Sequence, residues 1–202
     1  VIGAAGQMGT YLIPMLVDAG YDTVAITRKL SQPYEDAPAW HTVQRRLLDR
    51  DKDPDFIPKL KAMEPDILVD LVNFNIRDTK KIVEGFKGTR LSHYLYCSSC
   101  WAQGMAETIP FDPDSLAKRP LDDYGKDKYA SELYLKEQYR QNGFPATILM
   151  RGRFPALGGR SSIPGGTRPC GYSRRLPTAK KLPFPTLGRK SSIMFTAAML
   201  RR

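Results

Sequence analysis

Tyr124 and Lys128, in the stretch YGKDK, stand four residues apart. On a helix that spacing puts both side chains on one face. A phenol ionises near pH 10, so one that exchanges protons in hydride chemistry must be tuned down. A neighbouring ammonium does this by favouring the phenolate. The same lysine can hold the ribose next to a nicotinamide. Ser99, in CSSC at the end of a predicted strand, lies 25 residues before Tyr124. A strand end and a helix start at that separation can meet, giving the tyrosine a hydroxyl partner.

A second set of residues suits phosphate. Gly3, Gly6 and Gly9 form G-x-x-G-x-x-G in VIGAAGQMGTYL, between an apolar start and a helix. The first glycine permits a tight turn, the second lets a pyrophosphate approach the backbone, and the third lets helix and strand pack closely. The helix N-terminus then offers free N–H groups and a positive dipole end. Gly3, Gly6, Gln7, Met8 and Gly9 are therefore the candidate cofactor contacts; a purely structural turn is the alternative. After the next strand, ITRKL carries Arg28 and Lys29 where a carboxylate would bind the ribose hydroxyls of NAD. Two cations there suit the 2′-phosphate of NADP, so NADP is favoured with NAD left open. Asp49, in LLDRD, falls at the expected end of the following strand, as an adenine contact or a plain surface residue.

These residues need a scaffold, and the apolar pattern supplies one. GTYLIPMLVDAG reads as a helix closed by Gly20, and DTVAITR and HTVQRRLLDRD as strands. DPDFIPKLKAM has helical spacing behind a capping aspartate. DILVDLVNF is a nearly continuous apolar run, as in a strand covered on both faces. IRDTKKIVEGFKG is a helix, SHYLYCSS a strand, KYASELYLKEQYRQNG a long helix and PATILMR a strand. That series predicts an α/β fold with a mostly parallel, doubly wound sheet of the Rossmann type. VIG reads as the end of a first strand that begins further upstream.

Taken in order and spacing, Gly3-x-x-Gly6-x-x-Gly9, YCSSCWAQG and YGKDKYASE resemble the extended short-chain dehydrogenase/reductases, in their NAD-dependent epimerase/dehydratase branch. The resemblance covers residues 1 to about 150. It implies hydride transfer between nicotinamide and a carbinol, such as that of a nucleotide sugar, followed by epimerisation, dehydration or release. Counting back from Gly104, it assigns Ser99 to the hydroxyl that binds the reacting oxygen. It makes Tyr124 the acid/base, with Lys128 its partner and a ribose contact, and leaves Ser98 without a role. CWAQG departs from the usual Tyr-Gly ending. A homodimer is left open.

Residues 151–202 hold 12 Lys and Arg and no Asp or Glu, so the whole surplus of the +10 chain lies there. Residues 1–150, with 19 basic and 21 acidic residues, are near neutral. The boundary divides an NAD(P)-binding domain, 1–150, from a basic tail, 151–202, that reads as an out-of-frame remnant of a substrate domain. Joining each codon's third base to the next codon's first two lets residues 192–201 become His-His-Val-His-Gly-Gly-Asp-Val-Ala. Earlier tail residues likewise permit Gly-Trp…Ile-Asn-Pro, and the two stretches resemble, in family order, segments of that branch. This chain would then be an inactive fragment. The alternatives are a non-enzymatic NADP-binding regulator on the same fold and, through the tail, a nucleic-acid binder, which sparse aromatics disfavour.

No apolar run reaches the roughly 20 residues of a membrane helix. Nothing basic precedes the first apolar stretch, as a secretory leader would require, so a cytoplasmic protein is expected. Three cysteines are too few for a disulfide scaffold. Cys97 and Cys100 read as packing residues, and no metal site is expected.

Overall fold

The computed structural model describes residues 1–30, 32–105 and 118–152. The tail beyond residue 152, with the frame reading attached to it, lies outside the described residues. So does most of ETIPFDPDSLAKRPLDD, the stretch that leads up to Tyr124.

Among the described residues are five parallel strands: β1 (Val24–Thr27), β2 (Gln44–Leu47), β3 (Ile67–Asp70), β4 (His93–Ser99) and β5 (Ala146–Arg151). β1 pairs with β2, and β3, β4 and β5 pair in that order. Ile2 joins the two groups, bridging Ile26 on one side and Asp70 on the other. Its N–H donates to Val69 O at 2.8 Å, and Ile26 N–H donates to Val1 O at 2.9 Å. The two residues before the glycine turn thus lie at the centre of the sheet.

Among the described residues five α-helices connect the strands: α1 (Gly9–Asp18), α2 (Ala39–Thr42), α3 (Phe56–Lys61), α4 (Ile76–Phe86) and α5 (Asp123–Asn142). Apolar residues cover both faces of the sheet. On one, Phe56, Leu60, Ile82, Val83, Phe86 and Leu135 of α3, α4 and α5 pack against Ile26, Leu68, Tyr94 and Tyr96. On the other, Ile13 of α1 and Trp40 of α2 pack against Ala4 and Ala25. This explains why β3 reads as a continuous apolar run rather than an alternating one. The doubly wound parallel fold read from the sequence is the fold observed.

Two local expectations need amendment. Asp55 precedes α3 but its side chain makes no capping bond. Asp53 is engaged instead, accepting from Asp55 N–H at 3.0 Å and from Lys59 at 2.7 Å. HTVQRRLLDRD, read as a strand, is one only over Gln44–Leu47; its first two residues end the short helix α2, which forms where Trp40 is buried, its indole N–H donating to Thr10 O at 3.2 Å.

Candidate active site

All the predicted site residues lie at the carboxyl ends of the parallel strands, where open α/β sheets bind their ligands. Gly3, after the central Ile2, has φ +79°, a conformation that favours glycine. A Cβ there would stand 2.6 Å from Val72 Cγ1. At Gly9 a Cβ would overlap the backbone of Ala4, so this glycine sets the close packing of α1 on the turn. Gly6 differs: its added Cβ would meet only Gly3 O, at 3.1 Å. Gln7 and Met8 complete the turn, and Met8 enters α1 without any side-chain cap. The cradle therefore fits a phosphate bound to backbone N–H groups.

Arg28 and Lys29 are exposed just past β1. Asp49 follows β2, and its Oδ1 accepts from Asp51 N–H at 3.0 Å, so this carboxylate also shapes its own turn. Beside it a cavity of about 280 Å³ opens between α3 and α4, with Arg50 in its wall. Arg50 points inward, donating to the buried Asp70 at 2.7 Å.

The catalytic candidates converge at β4 and α5. α5 starts at Asp123 behind Asp122, whose side chain accepts from Gly125 N–H at 2.7 Å. Gly125 lets this first turn approach closely: a Cβ would lie 2.5 Å from Trp101 O. Trp101 belongs to the 3₁₀ turn Cys100–Ala102 that follows Ser99. Contact between these two turns brings the Ser99 end of β4 to the Tyr124 end of α5. Ser99 Oγ accepts from Trp101 N–H at 3.3 Å. One lone pair of the hydroxyl is thus engaged.

Ser98 is not the featureless neighbour that the sequence suggested. It is fully buried and donates to Glu132, which also accepts from Lys118 Nζ at 2.5 Å. Glu132 lies one helical turn beyond Lys128. The spacing Tyr124, Lys128, Glu132 repeats every four residues, a signal that could have identified it. Cys97 is buried inside β4, and burial pushes its thiol pKa up. Cys100 stands beyond the strand, in the 3₁₀ turn. Among the described residues no cluster of His, Cys, Asp and Glu could hold a metal.

Lys128 is almost completely buried. Its Nζ donates to Asn73 O at 2.5 Å and to Cys97 O at 2.6 Å. It lies 5.7 Å from the centre of the Tyr124 ring. Burial lowers its pKa to about 8; Cys97 and Asp70 oppose that shift, while Arg151 and Arg50 add to it. Asn73 and the exposed Phe74, in the loop after β3, also belong to this site, and no motif marked either of them. The Phe74 and Tyr124 rings are 6.2 Å apart.

Comparison with known proteins gives a consistent picture. A family model described as the NAD dependent epimerase/dehydratase family matches residues 1–155. A curated relative, the uncharacterized 37.6 kDa protein in the cld 5′ region of Escherichia coli O111:H-, is 32% identical over 75 residues, or 37% of this chain and 22% of its own length. The fold is similar to that of an epimerase-like protein from Burkholderia cenocepacia J2315, with TM-score 0.66 and 22% identity over 80% of this chain and 56% of that one. It is also similar to UDP-glucose 4-epimerase from Brucella ovis in complex with NAD, with TM-score 0.62 and 17% identity over 74% and 50% of the two chains. The matched region is about a fifth of the curated relative and about half of the solved structures.

Proposed function

Since the chain belongs to the NAD dependent epimerase/dehydratase family, we propose that its site transfers a hydride between a nicotinamide dinucleotide and the carbinol of a nucleotide sugar. When bound, the dinucleotide supplies the hydride acceptor and donor. The residues of this chain do the rest. Gly3, Gly6 and Gly9 with the start of α1 would hold its pyrophosphate. Asp49 would lie toward the adenine. Ser99 donates its proton to the reacting oxygen and orients it. Tyr124 takes the carbinol proton and returns it. Lys128 supports the phenolate, with one N–H beyond its two carbonyl partners left for a ribose hydroxyl.

The observation that supports this reading best is the division of labour between the two serines. Ser98 is committed to Glu132, whereas Ser99 accepts from Trp101 N–H beside the start of α5. The test is Tyr124→Phe, in a version carrying the second half that the solved relatives have. It removes one oxygen, so cofactor binding is expected to persist while turnover falls roughly 10²–10⁴-fold. Equal rates would remove Tyr124 from the mechanism.

Arg28 and Lys29 favour NADP within this reading. Tighter binding of NADPH than of NADH is expected, by roughly ten- to a hundredfold for one charge-assisted contact. Arg28→Asp should erase that preference. Calorimetry that ranks NADH first on the unaltered protein would reject it.

A further inference from the structure

Lys128 has an unusual environment for an ammonium. Its Nζ lies 4.8 Å from the centre of the Tyr96 ring, 5.5 Å from that of Phe74 and 5.7 Å from that of Tyr124. Three aromatic rings from three elements therefore surround one cation, each within the roughly 6 Å over which a ring face attracts positive charge. Tyr96 comes from the body of β4 and is fully buried, Phe74 from the loop after β3, and Tyr124 from the first turn of α5. The Asn73 and Cys97 carbonyls complete the shell.

We propose that Phe74 and Tyr96 are positioning residues: with the Tyr124 ring they form an aromatic cage that keeps the Lys128 ammonium charged and fixed against Tyr124. The inference rests on the hydride-transfer reading for its purpose, though not for its existence. A neutral amine at this point could neither support a phenolate nor donate three hydrogen bonds. Water would keep the amine charged, but burial has removed it. The rings and carbonyls stand in its place: a π face stabilises the cation while offering no lone pair that would draw the proton away.

Other groups face the same amine. Asp70 on β3 and Cys97 on β4 favour its charged form, and Arg151 on β5 and Arg50 after β2 oppose it. The cationic and anionic neighbours thus work against each other, and the neutral rings add to the charged form. Phe74 is 53% exposed, so its ring can be altered without emptying the core.

The experiment is a titration of Lys128 in the whole chain, with carbon-13 at the lysine Cε and the resonance assigned by Lys128→Arg. Phe74 is replaced by phenylalanines carrying increasing numbers of fluorines. These keep the ring's shape and drain its π face. The apparent pKa of Lys128 is expected to fall stepwise, by roughly half a unit to one unit across the series. Phe74→Tyr and Tyr96→Phe, which preserve the ring face, should leave it near the starting value. A flat series, or a fall with Phe74→Tyr as large as with full fluorination, would overturn the cage. The titration needs no turnover, so it fails separately from the Tyr124→Phe test. A stepwise fall alongside undiminished Tyr124→Phe activity would refute the catalytic reading and leave the cage standing.

Discussion

The two ends of the site begin their helices differently. α1 starts behind Met8, whose backbone is already helical and whose side chain caps nothing. α4 and α5 start behind Asn75 and Asp122, both extended, whose side chains accept from Asp78 N–H at 2.9 Å and Gly125 N–H at 2.7 Å. The first N–H groups of a helix need partners from outside it. At the catalytic end the chain supplies them. At the glycine turn Thr10 and Tyr11 N–H donate to the backbone carbonyls of Gly6 and Met8 and no side chain caps the start; the other N–H groups of the turn are the ones proposed here for the dinucleotide pyrophosphate. The helix starts beside the catalytic candidates are thus capped by the chain's own side chains, and the helix start at the glycine turn is not.

That contrast breaks most visibly at Glu132. It forms an ion pair with Lys118, both side chains almost wholly buried, and accepts from Ser98. Removing one member of such a pair strands a buried charge, at a cost of about 3–5 kcal/mol. Glu132→Ala should lower the urea midpoint accordingly. Glu132→Leu combined with Lys118→Met should recover most of the loss, because apolar replacement of both partners is often neutral. If Glu132→Ala unfolds at the parent's midpoint, the catalytic end does not depend on its own pairing.

The glycine end should behave in the opposite way. Gly6→Ala adds a methyl group that meets only the backbone O of Gly3, a tight contact at 3.1 Å, so the free protein should lose only modest stability. The methyl would stand where phosphate approaches. For the parent, dinucleotide at a hundred times its Kd should add about 2.7 kcal/mol of stability. Gly6→Ala should lose most of that gain. Thermal unfolding with and without NADPH measures both quantities, and a variant stabilised as much as its parent would place the phosphate elsewhere.

The same contrast governs what the sequence revealed. The glycine turn was legible because backbone geometry restricts residue type: φ +79° at Gly3 and the overlap at Gly9 exclude almost every other side chain. The alternation of strands and helices was legible because both sheet faces are covered. The candidates Tyr124 and Lys128 were paired by their spacing along one helix, and Ser99 was added by its place at a strand end 25 residues earlier. The shell around them was not. Asn73, Phe74 and Tyr96 reach Lys128 across three elements, and no periodic pattern marks a contact between distant segments. Glu132 was marked only by its four-residue spacing from Lys128, and the burial of Lys118 was hidden because charged residues are normally read as surface.

Lys128 gives a pH test of intermediate size. In the folded protein its amine loses its proton near pH 8, chiefly because of burial; in the unfolded chain it does so near 10.4. Between those values the unfolded state holds a proton that the folded state has released, so rising pH favours folding. The gain is at most about 1.4 kcal/mol per pH unit. Above about pH 10 the sign reverses, because burial holds Tyr94 and Tyr96 neutral in the fold while unfolded tyrosines ionise. Cys97, raised in the same way, opposes the gain from about pH 8.5. Lys128→Met keeps the tyrosine and cysteine effects and loses the rising limb. The stability difference between the two proteins should therefore shift in the parent's favour from pH 8 to pH 10. A constant difference over that window would mean that the amine is not perturbed.

The smallest effect tests the comparison at its source. Asn75 caps α4 by accepting from Asp78 N–H, and its Nδ2 donates to Asp78 Oδ2 at 2.9 Å. Asn75→Ala should cost about 1 kcal/mol, the usual value of an N-cap. Asn75→Ser keeps a capping oxygen and should stay close to the parent. Asn75→Asp also supplies a good capping oxygen, but it sets a second carboxylate against Asp78 and should lose part of the benefit. Met8 is the control. It caps nothing, so Met8→Ala should cost only the packing of a partly exposed side chain, roughly a few tenths of a kcal/mol. Dinucleotide binding should not widen the Asn75→Ala deficit, because that cap lies at the catalytic end and is already satisfied. Equal losses at Asn75 and Met8 would mean that α1 and α4 begin alike. The open N-terminus of α1 would then no longer distinguish the nucleotide end from the catalytic one.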